Sequence, residues 1–152
     1  MGDYKRTTRE CTLDSMRPEL SAAMRAHVTK YNLGDILSDS MMRVETASEK
    51  IKKGLFGGCE TIYTAAVLTK GWLVWANSGT NVKPHAMSAR LNQITVQDYA
   101  KSSFAKMISD TGVNVNGLTT DTPEAGSTFI GLEENAAGIK FREALIAAVQ
   151  SV

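Results

Sequence analysis

Apolar positions recur at helical spacing in the first part of the chain and alternate in much of the rest. Leu20, Met24, Val28 and Tyr31 fall on one helical face, with Ala22, Ala23 and Ala26 adding propensity. This pattern predicts an amphipathic helix over 15–32. Pro18 suits a first turn, where its missing N–H has no helical partner to lose. Asn32-Leu33-Gly34 ends the helix, with the glycine as a left-handed cap. Ahead of it, residues 1–11 mix charges and carry no periodic apolar position, so they are expected to be disordered.

The period then becomes that of a strand. Met42, Val44, Thr46 and Ser48 share one face while Arg43, Glu45 and Glu49 face away, giving a half-exposed strand over 42–52. A glycine-rich break at 54–58 follows. Cys59 to Leu68 and Trp72 to Trp75 are apolar strands joined by Thr69-Lys70-Gly71, a hairpin turn with glycine available for positive φ. After the turn chemistry of Asn77 to Asn81, His85 to Arg90 and Asn92 to Tyr99 read as shorter strands. Lys101 to Asp110 fits a helical turn through Phe104, Met107 and Ile108, and equally a strand. Val113 to Leu118 alternates, a turn runs through Asp121, Pro123 and Gly126, and Thr128 to Leu132 makes the last strand. Asn135 is a good N-cap for a final helix over 135–150, with Ile139, Phe141, Leu145, Ile146 and Val149 as its apolar stripe. The expected architecture is mainly β (α+β). About seven short antiparallel strands over 41–133 form a small barrel, the C-terminal helix caps it, and an additional N-terminal helix packs outside.

A length of 152 residues, with 43% hydrophobic and 22% charged, suits one domain, placed at 12–152. A formal net charge of +1 provides no global basic field, and no nucleic-acid partner is expected. Cys11 and Cys59 are too far apart in sequence for a CxxC or zinc spacing and read as two buried or free thiols in a reducing cytosol, with a secreted stabilising disulfide as the alternative. The start has no apolar signal-like stretch, and Arg6 stands where an N-myristoylation pattern wants Ser or Thr. No apolar run approaches the length of a membrane span. A cytoplasmic protein is expected.

The hairpin Ala65 to Trp75, the strand Leu91-Asn92-Gln93-Ile94-Thr95-Val96, and the ending Phe129 to Leu132 followed by the helix Asn135 to Val149 together resemble the bacterial pleckstrin-homology-like family. The resemblance runs from Met41 to Val152 and rests on apolar and turn patterns. It implies the PH-like barrel scaffold. By analogy with such domains it also implies a binding or self-associating role, since eukaryotic members bind phosphoinositides or peptides.

The main candidate ligand loop is Lys50 to Gly58. Lys50, Lys52 and Lys53 would meet phosphate oxygens, and Leu55 and Phe56 would dip into an acyl boundary. The plainer alternative is a solvated turn with Phe56 folded back onto the barrel. Trp72 and Trp75 face opposite ways on a regular strand, so one is expected in the core and the other at a surface or interface. Cys11, Cys59, His27 and His85 are the only material for a Cys–His nucleophile pair, and no orienting motif surrounds them. Adjacent Glu133 and Glu134 face opposite ways along a strand and favour the positive end of the last helix. Gly57-Gly58 lacks the Lys-Ser/Thr of a phosphate-binding loop. No catalytic, metal or cofactor-binding residue is assigned and no cofactor is expected. The expected function is a non-enzymatic binding or self-assembly module, with a homo-oligomer or another protein as partner. The alternatives are a peripheral binder of anionic lipid headgroups through the Lys50–Gly58 loop and a small enzyme with a Cys/His pocket.

Overall fold

A computed structural model describes residues 4–50, 60–118 and 126–152. The described residues form eight strands in two antiparallel sheets. The first is five-stranded, in the order β1 (Tyr4–Glu10), β2 (Ser40–Lys50), β3 (Thr61–Thr69), β4 (Trp72–Gly79), β5 (Val82–Arg90). The second is three-stranded, in the order β6 (Thr95–Asp98), β7 (Gly112–Leu118), β8 (Gly126–Gly131). Two α-helices are present among the described residues, α1 (Pro18–Lys30) and α2 (Ala136–Gln150).

Residues expected to be disordered form β1 instead. Its register with β2 runs from Tyr4 opposite Lys50 to Glu10 opposite Val44. The polar composition of this strand reflects its place at the sheet edge, where one face needs little burial. The expected closed barrel is also replaced by two sheets, because the seam beside β1 is closed by side chains and not by a ladder. Glu133 accepts the Thr8 N–H at 3.0 Å, the Thr8 hydroxyl accepts the Glu133 N–H at 2.9 Å, and the Asn135 amide donates to the Thr8 carbonyl at 2.8 Å. Both outward backbone groups of Thr8 are thereby satisfied, which also protects the edge from foreign strands.

The five-stranded sheet is buried on both faces. Inwards, Val44, Ala66, Leu68, Leu73 and Trp75 meet Val113, Val115 and Ile130 of the second sheet and Phe141 and Leu145 of α2. Outwards, Ala65, Val67, Val74 and Ala76 meet Leu20 and Met24, which lie one turn apart on α1. Small residues on that outer face let the helix approach closely. Double burial explains why β3 and β4 read as continuous apolar runs and not as alternation.

Several local expectations change in detail. The Thr69 hydroxyl holds the β3–β4 turn by accepting the N–H groups of Gly71 and Trp72 at 3.3 and 3.0 Å, and Gly71 does not use a positive φ. Helix α1 ends in a Schellman arrangement in which Asn32 (φ 55°) takes the left-handed position. There the Leu33 N–H reaches the Val28 carbonyl at 3.0 Å and the Asn32 N–H reaches that of Thr29 at 3.2 Å. The stretch after β6 is neither α-helix nor strand but two short 3-10 turns, Tyr99–Lys101 and Ser103–Lys106.

Candidate functional site

Cross-strand register places one polar row across the inner face of the larger sheet. Thr8 faces Thr46, Thr46 faces Thr64, Thr64 faces Asn77, and Asn77 faces His85. The row is tied together by the Thr8–Thr46 hydroxyl pair at 2.8 Å and by the Thr64 hydroxyl donating to Asn77 Oδ1 at 2.7 Å. On one side of it lies the apolar core, and at the surface on that side Lys140 of α2 pairs with Glu10 at the far end of β1. On the other side, where β1 begins, the sandwich opens into a cleft of about 360 Å³. Arg6, Ser48, Thr64, Asn77 and His85 supply its polar lining, while Tyr4, Ile62, Val82 and Phe129 supply its apolar walls.

Arg6 is the organising residue. Its Nε and Nη2 donate to the two carboxylate oxygens of Asp110 at 2.9 and 2.7 Å, and Nη1 donates to the Ser48 hydroxyl at 2.5 Å. The guanidinium carbon also sits 5.2 Å from the ring centres of both Tyr4 and Phe129. Planar and delocalised, the guanidinium can make the fork to Asp110 and contact two rings at once. Gly131 leaves room for it, because a Cβ at that position would lie 2.3 Å from Nη1. The Asp110 carboxylate balances the charge of the Arg6 guanidinium.

Three groups in the cleft retain hydrogen-bonding capacity among the described residues. Asn77 uses Oδ1 on Thr64, leaving its Nδ2 donors. His85 Nδ1 donates to the Lys83 carbonyl at 3.0 Å, which leaves Nε2 as the second ring nitrogen, an acceptor whenever the ring carries a single proton. Arg6 spends three of its five N–H groups on Asp110 and Ser48. The arrangement can take a flat, neutral, polar molecule, with its face against Phe129 or Tyr4 and its edge on Asn77 and His85.

The residues singled out from sequence are scattered. Lys50 is the exposed end of β2, whereas Lys52, Lys53, Leu55, Phe56 and Cys59 lie outside the described residues. Trp75 is 1% exposed, its indole N–H has no partner among the described residues, and it belongs to the inner core. Of the two tryptophans only Trp72 keeps a partly open face, half-buried with the Arg90 guanidinium 4.7 Å over its ring. The Cys–His pair does not assemble among the described residues. Cys11 is buried on the α1 side of the sheet, His27 bonds Ser88 at 2.8 Å, and only His85 reaches the cleft. Burial, and then the Glu45 charge, push the Cys11 thiol up to about 11, which makes it a poor nucleophile. Glu133 turns back to β1 and Glu134 pairs with Arg142.

Sequence reasoning missed Arg6, Asn77 and Asp110. The available signal was the β2 alternation itself, which passes from Met42 and Val44 to Thr46 and Ser48 and so announces a core that turns polar at one end. Among the described residues, no group of three His, Cys, Asp or Glu is placed to hold a metal, and no helix is long and apolar enough to cross a membrane. What the fold defines is a mainly β protein of two stacked antiparallel sheets with a helix outside the larger one and a second helix against the shared core. Compared with protein-family models, curated proteins and solved structures, the chain matches none.

Proposed function

We propose that this chain is a non-enzymatic binding module that takes a small, neutral, polar ligand in the cleft beside Arg6. The carrying observation is the polar row Thr46–Thr64–Asn77–His85, which places unspent donors and an acceptor on one wall of a cleft near the lower end of the usual ligand-site volumes. The PH-like reading of the scaffold belongs to the same proposal. It is supported by the meander of strands into two stacked sheets and by the C-terminal helix on the core at the end opposite the cleft. The test is native mass spectrometry of the protein equilibrated with a small-molecule cell extract. A discrete adduct is expected, lost in Asn77→Leu and in His85→Ala while both variants melt like the wild type. An adduct that survives both substitutions, or none at all, would sink the reading.

Self-assembly is a second reading, favoured by β5. This nine-residue strand pairs only with β4 among the described residues, and it carries exposed Met87 near the middle of its length. Long unpaired edges template pairing with another chain. Light scattering at high micromolar concentration is expected to give a dimer that Met87→Lys dissociates. A monomeric wild type removes this reading.

A further inference from the structure

The segment joining β6 to β7 carries three of the exposed large apolar side chains of the described residues: Phe104 at 63%, Met107 at 85% and Ile108 at 61%. Their outward direction is built in. Tyr99 and Ser102 are buried beneath the segment, and the Tyr99 ring packs edge-on against Phe129 at 5.1 Å. The Tyr99 hydroxyl donates to the Ile108 carbonyl at 2.7 Å. Pinned at both ends in this way, the segment forms a short strap whose apolar residues point away from the protein.

Two further properties decide what such a strap fits. Residues 99–109 hold Lys101 and Lys106 and no acidic residue. The acids at its ends are occupied, Asp98 by Arg142 and Asp110 by Arg6. The strap is therefore a positive surface around an apolar centre, and two copies laid face to face would repel. Its backbone is also satisfied internally in part. The N–H groups of Ser102, Ala105, Met107 and Ile108 bond to carbonyls within the strap, and the Ser102 hydroxyl donates to the Tyr99 carbonyl at 2.7 Å. Shallow docking at a headgroup boundary needs only that the apolar side chains leave water, while backbone groups without an internal partner stay hydrated.

We propose that the strap is a docking surface for an anionic lipid bilayer, with Phe104, Met107 and Ile108 entering the headgroup boundary and Lys101 and Lys106 lying against acidic headgroups. This surface is separate from the cleft and does not depend on the cleft's ligand. The experiment is co-sedimentation with vesicles of phosphatidylcholine alone and of phosphatidylcholine mixed with phosphatidylserine, at low and at high salt. The wild type is expected on the mixed vesicles and is released as salt shortens the screening length. The pair Phe104→Ser and Met107→Ser, and separately the pair Lys101→Gln and Lys106→Gln, are each expected to weaken binding by about tenfold or more. Melting temperatures should hold, since the replaced side chains are exposed. Three outcomes overturn the proposal: no binding of the wild type to the mixed vesicles, equal binding to both vesicle types, or strap variants that bind like the wild type. Loss of self-association in the serine variant without any vesicle binding would assign the strap to a protein partner instead, and would overturn it as well.

Discussion

At the scale of single residues, two positions invert ordinary substitution rules. Gly138 lies in the first turn of α2, where alanine normally improves a helix by about 1 kcal/mol. Here a Cβ would sit 1.9 Å from the Glu133 carbonyl oxygen, a backbone atom, beside the Asn135 cap that accepts the Gly138 N–H at 2.9 Å. Gly138→Ala is therefore expected to destabilise by about 1–3 kcal/mol, read as a lower midpoint in urea. Arg6→Lys keeps the charge but loses the fork to Asp110 and the contacts with Tyr4 and Phe129. A cost of about 2 kcal/mol is expected, close to that of Arg6→Ala, because a point charge replaces a planar one. If lysine restored most of the stability that alanine loses, charge alone would account for the site.

At the scale of elements, α1 shows how a docked helix gains a pH dependence. Its His27 bonds Ser88 of β5, and burial, with Lys30 nearby, lowers its pKa below the ordinary 6.5. The unfolded chain then binds a proton more readily than the folded one, so stability rises with pH across this window. The contribution is fully present above 6.5 and is lost as pH falls through the depressed folded value. Denaturation midpoints of the wild type on either side of 6.5 should differ by more than those of His27→Gln. Equal pH slopes in the two proteins would mean that this histidine does not clasp the helix. The strap after β6 teaches a different lesson. Phe104, Met107 and Ile108 read equally as a helical turn or a strand because neither period has a buried face to obey there.

At the scale of the whole molecule, the two sheets and α2 share one core, so the terminal helix is not a removable tail. Phe141 and Leu145 are buried among residues of both sheets. Each contributes about 1.5–3 kcal/mol, a large share of the 5–15 kcal/mol that holds a domain together. Truncation after Glu134 is expected to yield an insoluble or molten product with no cooperative melting. A truncated chain that melts sharply near the full-length temperature would show that the sheets hold together without α2.

Local chemistry was legible because short-range physics decides it. Helical spacing of Leu20 and Met24, the Asn135 cap and the Thr69-led turn each carry their own signal, and they placed both helices and the β3–β4 hairpin. The mainly β class followed from period alone. What lay beyond the sequence depends on which surfaces meet. β1 has no apolar stripe to betray it, because its stability comes from the β2 ladder and from Glu133 and Asn135, more than a hundred positions away. The cleft needs Arg6 and Asp110, separated by 104 positions, to meet bidentately, and it needs a register that lines Thr46, Thr64, Asn77 and His85 in one row. A slip of one residue in any of those strands would turn its member of the row to the opposite face, so only the tertiary pairing decides that the site exists.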